Sequence, residues 1–156
     1  MLRKNILLLM LCFAIDRITK YVAVSYLLLG ESIPIFSIGG IQGSITLATN
    51  KGAAWGLLVQ APFLLLILRV LFILALTLLY RYTQGRFAKL SLLFIIVGAC
   101  SNILDTITWG HVVDMIHLSF WQWDYPVFNI ADICISLGAI CFLLSTFQPI
   151  SQNKKE

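Results

Sequence analysis

Apolar residues dominate four stretches of the chain, each close to the length of a membrane-spanning helix. A bilayer hydrocarbon core about 30 Å thick is crossed by roughly 20 apolar residues in helical form. The pattern predicts spans at about 5–29, 61–80, 90–109 and 130–147. Asp16, Arg17 and Lys20 interrupt the first span, and the second contains one charged residue, Arg69. The sequence therefore predicts an all-α membrane protein with four transmembrane helices, forming a single domain over residues 1–156.

The two longer segments between the spans have different patterns. Residues 30–60 are rich in glycine and β-branched residues, and "IFSIGGIQGSITLAT" alternates loosely, as short strands do. This pattern predicts a small extracytoplasmic β-platform between helices 1 and 2. Residues 110–129 carry Trp121, Trp123 and Tyr125. Such aromatic side chains settle at the membrane–water interface, so this segment is interpreted as an interfacial connection.

Composition and charge placement support this topology. Of 156 residues, 60% are hydrophobic and only 12% are charged, which is too few for the surface of a soluble domain. Basic residues gather near the N-terminus, in the break between the second and third spans, and at the C-terminus (Arg3, Lys4, Arg81, Arg86, Lys89, Lys154 and Lys155). Short basic segments stay in the cytoplasm, so both termini are predicted there. No basic stripe interleaved with aromatics lies outside these breaks, which argues against nucleic acid as a partner.

The cysteines give no sign of a metal site. All four lie inside apolar runs (Cys12, Cys100, Cys134 and Cys141). The chain has no C-x-x-C motif and no Cys/His pair at the spacing of metal ligands. We therefore expect buried cysteines and no metal.

Polar residues converge at one depth of the predicted bundle. Asn102 and Asp105 lie near the outer end of the third span, three residues apart and thus on one helix face. Asn129 and Asp132 have the same spacing at the outer end of the fourth span, and Asp114 lies in the connection between these spans. A charged residue at a helix centre costs roughly 2.5–3.5 kcal/mol on insertion, so these residues need partners or a function.

Structural roles are open to some of them. Asn102 and Asn129 can hydrogen-bond helices together, and Asp105 can be a packing carboxylate. Asp114 and Asp132 fit this explanation less well, because two carboxylates that share a site repel each other unless they share a proton. Their pKa values then separate and leave one acid and one base at the same pH. Such a pair can activate water and protonate a departing amine.

Charged residues in the first two spans also need partners. Asp16 and Lys20 stand four apart and are predicted to pair on one helix face. Arg17, rotated about 100° from Asp16, has to find another partner or extend to the head groups. Arg69 either neutralises a neighbouring carboxylate or extends in the same way. Both alternatives stay open for each arginine.

Five short motifs together resemble the lipoprotein signal peptidase family, also called signal peptidase II. In chain order they are "DRITK" (16–20), "TNKGAAWG" (49–56), "SNILD" (101–105), "VVDMI" (112–116) and "FNIAD" (128–132). Each motif alone is weak, whereas five in the family's order are specific. The resemblance covers essentially the whole chain, with the four-span spacing of the family.

The resemblance implies an aspartic endopeptidase of the bacterial inner membrane that cleaves prolipoproteins before a diacylglyceryl-modified cysteine. It implies that Asp114 and Asp132 are the catalytic pair. The implied supporting and substrate-binding residues are Asp16, Lys20, Asn50, Gly52, Ala53, Asn102, Asp105 and Asn129. No cofactor or metal is implied. The expected partners are the lipid-modified substrates and membrane lipid, and the protein is expected to act as a monomer.

Two positions depart from the motif set. Ser101 stands where the family usually has glycine, and Thr106 stands where it usually has arginine. The missing arginine removes a cation expected beside the active site, and Arg69 is the candidate substitute.

Two other classes of function are considered. A small transporter or proton-conducting subunit predicts polar residues across the full membrane depth, but the cytoplasmic halves of spans two to four are nearly all apolar. Thr106 also leaves open a non-catalytic assembly factor or a family member that has lost activity.

Overall fold

Four helices and four strands make up the parts of the chain that the computed structural model describes, residues 2–51, 61–121 and 123–147. The helices are α1 (Leu2–Tyr26), α2 (Pro62–Tyr82), α3 (Arg86–Trp109) and α4 (Ile130–Thr146). The strands are β1 (Ser32–Ile38), β2 (Ile41–Asn50), β3 (Val112–Phe120) and β4 (Trp123–Asp124). Each predicted span therefore corresponds to one helix.

Two of these helices are long and apolar enough to cross a bilayer, α2 over Phe63–Tyr82 and α3 over Arg86–Trp109. The apolar helix α4 is shorter, with 17 residues. Much of the apolar surface of α2 faces outward, including Phe63, Leu71 and Leu78. A continuous exposed apolar surface marks contact with another protein or with a membrane. The exposed surface of α2 is therefore suited to contact with lipid.

The helix ends differ from the predicted spans by a few residues. Helix α2 continues to Tyr82 and α3 begins at Arg86, so the basic residues of the predicted central break lie on the helices. Long basic side chains tolerate a helix end because the charged group reaches the aqueous boundary. Helix α1 ends at Tyr26, and the chain turns toward the sheet at Gly30, whose φ is 81°.

The strands form one antiparallel sheet in the order β1-β2-β3-β4. The β1–β2 hairpin confirms the predicted β-platform, and Gly39 and Gly40 supply the positive φ angles that its tight turn requires. The prediction was incomplete, because β3 and β4 come from the segment interpreted as an interfacial connection. The three aromatic residues predicted at the interface, Trp121, Trp123 and Tyr125, are exposed.

Helices α3 and α4 form the closest helix pair of the described bundle. At Gly98 of α3, an added Cβ would lie 2.5 Å from the carbonyl oxygen of Ala131. At Gly138 of α4, it would lie 2.7 Å from the carbonyl oxygen of Ser91. Small residues let membrane helices approach until their backbones touch. The close approach brings the polar side chains of both helices within hydrogen-bonding distance.

Two buried clusters hold the helices and the sheet together. The first packs α1 against β2 and β3, through Ala23, Leu27, Leu47, Val113 and Met115. The second joins α2 to α3, through Leu76, Leu92 and Ile95. Because the first cluster includes both neighbours of Asp114, it fixes this carboxylate relative to α1.

The cysteine prediction is partly wrong. Cys134 is buried, and Cys12 and Cys141 are half-buried, but Cys100 is exposed. An exposed thiol on α3 still suits a lipid-facing position, because cysteine behaves as a small hydrophobe.

Candidate active site

A capping box at the start of α4 sets the positions of Asn129 and Asp132. The Asn129 side chain accepts a hydrogen bond from the Asp132 backbone N–H at 2.8 Å, and the Asp132 carboxylate accepts one from the Asn129 N–H at 3.2 Å. Reciprocal bonds of this kind satisfy backbone donors that a helix start leaves free. The Asp132 carboxylate is therefore held in the first turn of α4, where the helix dipole favours negative charge.

Strand β3 brings Asp114 to this helix start. Asp114 pairs with Ala48 of β2, and the backbone of Ile116 exchanges hydrogen bonds with that of Phe128 at 2.8 and 3.0 Å. Phe128 directly precedes Asn129. The sheet thus fixes Asp114, a residue of strand β3, against the first turn of α4.

Asn129 contacts both carboxylates. Its side-chain nitrogen donates to Asp114 Oδ1 at 2.6 Å, and its backbone nitrogen donates to Asp132 Oδ2. A second amide, Asn102 on α3, donates to Asp132 Oδ1 at 2.9 Å, and the Asn50 side chain hydrogen-bonds to Asp114. Asp114 and Asp132, called the carboxylate pair below, therefore meet at one place lined by amides.

The electrostatic surroundings of Asp114 favour its neutral form. Burial in the site and repulsion from Asp132 raise the pKa of Asp114 from 3.8 to about 7, against the opposing effects of Asn129, Lys20 and Asn50. Only 4% of Asp114 is exposed. Desolvation and a neighbouring like charge both disfavour an ionised carboxylate. At neutral pH the pair can therefore hold one proton on Asp114.

A second polar group, the ion cluster, joins α1 to α3. Lys20 Nζ lies 2.8 Å from Asp16 Oδ2, 2.6 Å from Asp105 Oδ2 and 2.9 Å from Asn102 Oδ1. The predicted pairing of Asp16 with Lys20 is confirmed. Ser101 donates to Asp16 at 2.6 Å, and Arg17 pairs with Asp105 and lies over the ring of Trp109. We use the name ion cluster for Asp16, Arg17, Lys20, Ser101 and Asp105.

The ion cluster also supports the carboxylate pair. Asp16 Oδ1 accepts from the backbone N–H of Ala131 at 2.8 Å, and Asp105 Oδ2 accepts from that of Val113 at 3.3 Å. Ala131 immediately precedes Asp132, and Val113 immediately precedes Asp114. Each carboxylate of the cluster thus holds the backbone beside one member of the pair.

Arg69 of α2 reaches α3 beside the site. Its Nη1 donates to Thr106 Oγ1 at 3.0 Å, and this hydroxyl donates to the backbone oxygen of Asn102 at 3.1 Å. Of the alternatives left open for the arginines, Arg17 finds a partner in Asp105. Arg69 extends into the bundle and contacts the Thr106 hydroxyl, which is neither of its two predicted alternatives.

Comparison with known families identifies the chain. The model of the Signal peptidase (SPase) II family matches residues 8–148. The chain belongs to the signal peptidase II family. It is thus a protease by family, in agreement with the sequence motifs.

Relatives of the same family match over nearly the full chain. A lipoprotein signal peptidase of Chlamydia abortus (strain DSM 27085 / S26/3) is 36% identical over 152 residues, which cover 92% of each chain. One of Chlamydia pneumoniae is 32% identical over 163 residues, covering 99% of this chain and 96% of the relative.

Two solved structures share the fold of this signal peptidase II family member. One is a bacterial membrane enzyme determined by the in meso method at 2.3 Å resolution, with a TM-score of 0.82 and 27% identity. It covers 98% of this chain, and 93% of its own chain is matched. A second, at 1.9 Å resolution, has a TM-score of 0.80 and 27% identity, with 93% of each chain covered. Both of these similar structures are of bacterial membrane enzymes.

The structure brings together most residues that the sequence motifs select. Eight of them lie in the carboxylate pair, the ion cluster or the amides between them: Asp16, Lys20, Asn50, Asn102, Asp105, Asp114, Asn129 and Asp132. Gly52 and Ala53 lie outside the described residues. Asp105 contacts Lys20 and Arg17, which fits the structural role that the sequence left open for it, and its functional role stays a prediction.

Sequence reasoning missed three contributions to the site. Asn129 and Asp132 were placed on one helix face, but N-x-x-D before an apolar run is also the signature of a capping box. The role of Ser101 as a donor to Asp16 was not predicted. The backbone groups of Val113 and Ala131 could not be selected from side-chain patterns, because every residue except proline carries the same N–H.

Proposed function

We propose that this protein removes the signal peptide from diacylglyceryl-modified prolipoproteins by aspartic proteolysis, with Asp114 and Asp132 as the catalytic residues. The observation that carries the proposal is the contact of both carboxylates with Asn129, at 2.6 Å to Asp114 and 3.2 Å to Asp132. Two carboxylates that contact the same residue are close enough to repel each other, as the raised pKa of Asp114 indicates, and such a pair can share a proton. Family membership supplies the reaction class.

The contacts support different roles for the two carboxylates. Asp132 accepts hydrogen bonds from Asn102 and from the backbone of Asn129, at the positive end of the α4 dipole, all of which stabilise its ionised form. Asp114 is protonated in about half of the molecules at pH 7, because its pKa is raised to about 7. Asp132 is accordingly the general base, and Asp114 is the general acid.

The reaction then proceeds in two balanced steps. Asp132 takes a proton from water, whose oxygen bonds to the scissile carbonyl carbon, while Asp114 gives its proton to the carbonyl oxygen. A neutral tetrahedral diol results, with Asp132 protonated and Asp114 ionised. In the second step the C–N bond breaks as Asp132 protonates the departing nitrogen of the lipidated cysteine. Asp114 recovers a proton from one hydroxyl, and the new carboxyl group forms.

The location of the site suits a substrate anchored in the membrane. Asp132 opens an apolar helix, and a groove of about 300 Å³ beside it is lined mainly by apolar side chains, among them Tyr125, Phe128 and Leu137. An apolar groove beside the catalytic base suits part of a signal helix or an acyl chain. The substrate's own lipid would then keep the scissile bond at the depth of the pair.

The same proposal places the protein in the bacterial inner membrane with four spans and cytoplasmic termini. Basic residues at the adjoining ends of α2 and α3, Arg81 and Arg86, support cytoplasmic placement of that end of the bundle. The sheet and the carboxylate pair then face the outer side. A monomer is sufficient, because one chain supplies both carboxylates and their amide partners.

Cleavage by the purified protein tests this function. We expect it to cut a diacylglyceryl-modified precursor before the lipidated cysteine and to leave the same precursor without lipid largely intact. Asp114→Asn and Asp132→Asn should remove this activity. Asp124→Asn is the matched control, because Asp124 is an exposed carboxylate on β4, and this variant should cleave normally. Full activity of either pair variant would overturn the proposal.

A further inference from the structure

A guanidinium in an otherwise apolar part of α2 needs a reason to be there. Arg69 lies about two turns into the helix, with leucine, isoleucine and valine around it in sequence. Ionisable residues in membrane helices are costly, and they are usually found where they pair inside the bundle. Arg69 is half-buried, and it donates to Thr106 Oγ1 of α3 at 3.0 Å. Its side chain therefore points into the bundle.

Thr106 connects Arg69 to the site. The Thr106 hydroxyl donates to the Asn102 carbonyl at 3.1 Å, so its oxygen keeps a lone pair to accept from Arg69. Asn102 and Thr106 lie one helical turn apart on the same face of α3. From that turn, the Asn102 side chain donates to Asp132 at 2.9 Å. Arg69 is thus fixed on the face of α3 from which Asn102 holds the catalytic base, Asp132.

The positive charge of Arg69 reaches three carboxylates. It interacts with Asp132 most strongly, then with Asp114 and Asp105. Asp105 is already paired with Lys20 and Arg17, so Arg69 adds little there. The catalytic pair carries one negative charge in a site lined by neutral amides. A cation facing that pair favours the singly ionised state in which one acid and one base coexist.

We propose that Arg69, held by Thr106, is a positioning residue that keeps the carboxylate pair in its singly ionised, catalytically competent state. The inference rests on the proposed function of Asp114 and Asp132. It also accounts for Thr106, which stands where the motif set usually has arginine. Here the guanidinium comes from α2, and the threonine hydroxyl on α3 receives it.

Relocating the charge tests the proposal. Arg69→Gln should lower kcat at least tenfold with KM changed little, because substrate binding does not depend on the charge of the pair. The double variant Arg69→Gln/Thr106→Arg returns a guanidinium to the same place from α3 and should recover most of the lost kcat. Arg69→Lys should retain part of the activity. Thr106→Val removes the hydroxyl at similar shape and should show a weaker form of the Arg69→Gln defect.

The pH profile separates positioning from a purely structural role. Without the cation the pKa of Asp114 rises further, so the loss of activity at alkaline pH should move to higher pH in Arg69→Gln. The charged groups around the pair are Asp16, Arg17 and Lys20 on α1, Arg69 on α2, and Asp105 on α3. Arg81→Gln, an exposed arginine on the same helix, is the control and should leave kcat and the profile unchanged.

The outcomes are distinguishable from a failure of the proposed function. Normal activity of Arg69→Gln, with Asp114→Asn inactive, would overturn the role of Arg69 and leave the catalytic pair standing. A defect in Arg69→Gln with an unmoved pH profile and no recovery in the double variant would also overturn it. An active Asp114→Asn would overturn the proposed function itself. Each variant is first checked for membrane insertion and an unchanged unfolding temperature.

Discussion

The ion cluster and the carboxylate pair are neighbours in one bundle, yet the surroundings of their carboxylates are opposite. In the ion cluster, Asp16 and Asp105 are matched by Lys20 and Arg17, so the buried charges balance. In the carboxylate pair, Asp114 and Asp132 lie against amides and against each other. Removing one partner of a balanced ion pair lowers the stability of the protein, whereas changing one member of a repelling pair removes its function.

Their connection explains why both are needed in so small a protein. Asp16 and Asp105 hold the backbone N–H groups beside Asp132 and Asp114, respectively. Within the ion cluster Lys20 pairs with Asp16 and Asp105, and its charge also reaches Asp114. The cluster therefore acts as a rigid support, in which each carboxylate is paired with a cation. The pair keeps a proton that can move.

Asparagine substitutions should separate the two groups most clearly. Asp114→Asn and Asp132→Asn should lower kcat by about 10²–10⁴-fold or more, the usual range for loss of a general acid or base. Their unfolding temperature in detergent should stay close to that of the wild type, because an amide keeps the shape of the carboxyl group and neither change breaks a buried ion pair. Asp16→Asn should instead lower the unfolding temperature, since Lys20 loses a charged partner. A stable Asp16→Asn together with an unstable Asp114→Asn would reverse the assignment of the two groups.

Removing the central cation should give the largest loss of stability. Lys20→Met keeps the length of the side chain but leaves Asp16 without its ammonium partner and Asp105 with only Arg17. Breaking a buried ion pair from one side costs about 3–5 kcal/mol. We expect a large drop in unfolding temperature and in the amount of inserted protein.

The matched control for this change is the double variant Lys20→Met/Asp16→Asn. It removes one cation and one anion together, so part of the lost stability should return. Additive losses in the double variant would show that Lys20 and Asp16 do not act as a pair.

The rate of cleavage and the stability of the protein should both depend on pH, and the proton on Asp114 sets the direction of both. Cleavage should fall as pH rises through about 7, because Asp114 then loses the proton that the first step requires. Stability follows the same direction. The native state holds this proton while the unfolded chain releases it near pH 3.8, so stability declines as pH rises from there to about 7.

Asp114→Asn removes this proton, and its unfolding temperature should therefore depend less on pH over that window. A wild-type rate that rises above pH 8 would contradict Asp114 as the acid. Both measurements are made in one detergent and at constant ionic strength, since screening changes exposed charges more than buried ones.

The helices were predictable from sequence, and the sheet was only half predictable. Apolar runs of the required length define α2, α3 and α4, and α1 follows despite its charges because Asp16 and Lys20 neutralise each other. Strand β3 was missed for a physical reason. Its first four residues, Val112 to Met115, are all buried, so the alternation that marks a strand is absent. Its partner β2, Ile41–Asn50, lies on the far side of α2 and α3 in the sequence, a pairing that no local pattern reveals.

The sequence predicts which residues belong to the site, but not which of them lie in the carboxylate pair and which in the ion cluster. Depth and spacing brought Asn102, Asp114, Asn129 and Asp132 together from sequence. The assignment of Asp105 to the ion cluster depends on the direction in which Arg17 and Lys20 extend, which only packing decides. The catalytic roles of Asp114 and Asp132 stay predictions until the variants are measured.

Ser101 offers the smallest test, because it belongs to the ion cluster and departs from the usual glycine. Its hydroxyl donates to Asp16 at 2.6 Å, and the residue is 1% exposed. Asp16 keeps its bonds to Lys20 and to the Ala131 backbone when the hydroxyl is removed.

Ser101→Ala should therefore cost only about 1.5–3 kcal/mol, the range for one hydrogen bond to a charged group. Ser101→Gly should cost about 1 kcal/mol more, from the lower helix propensity of glycine. Both variants should cleave at nearly the wild-type rate. A loss of kcat comparable to that of Asp132→Asn would mean that the ion cluster takes part in the chemistry itself, because stability alone would no longer separate it from the carboxylate pair.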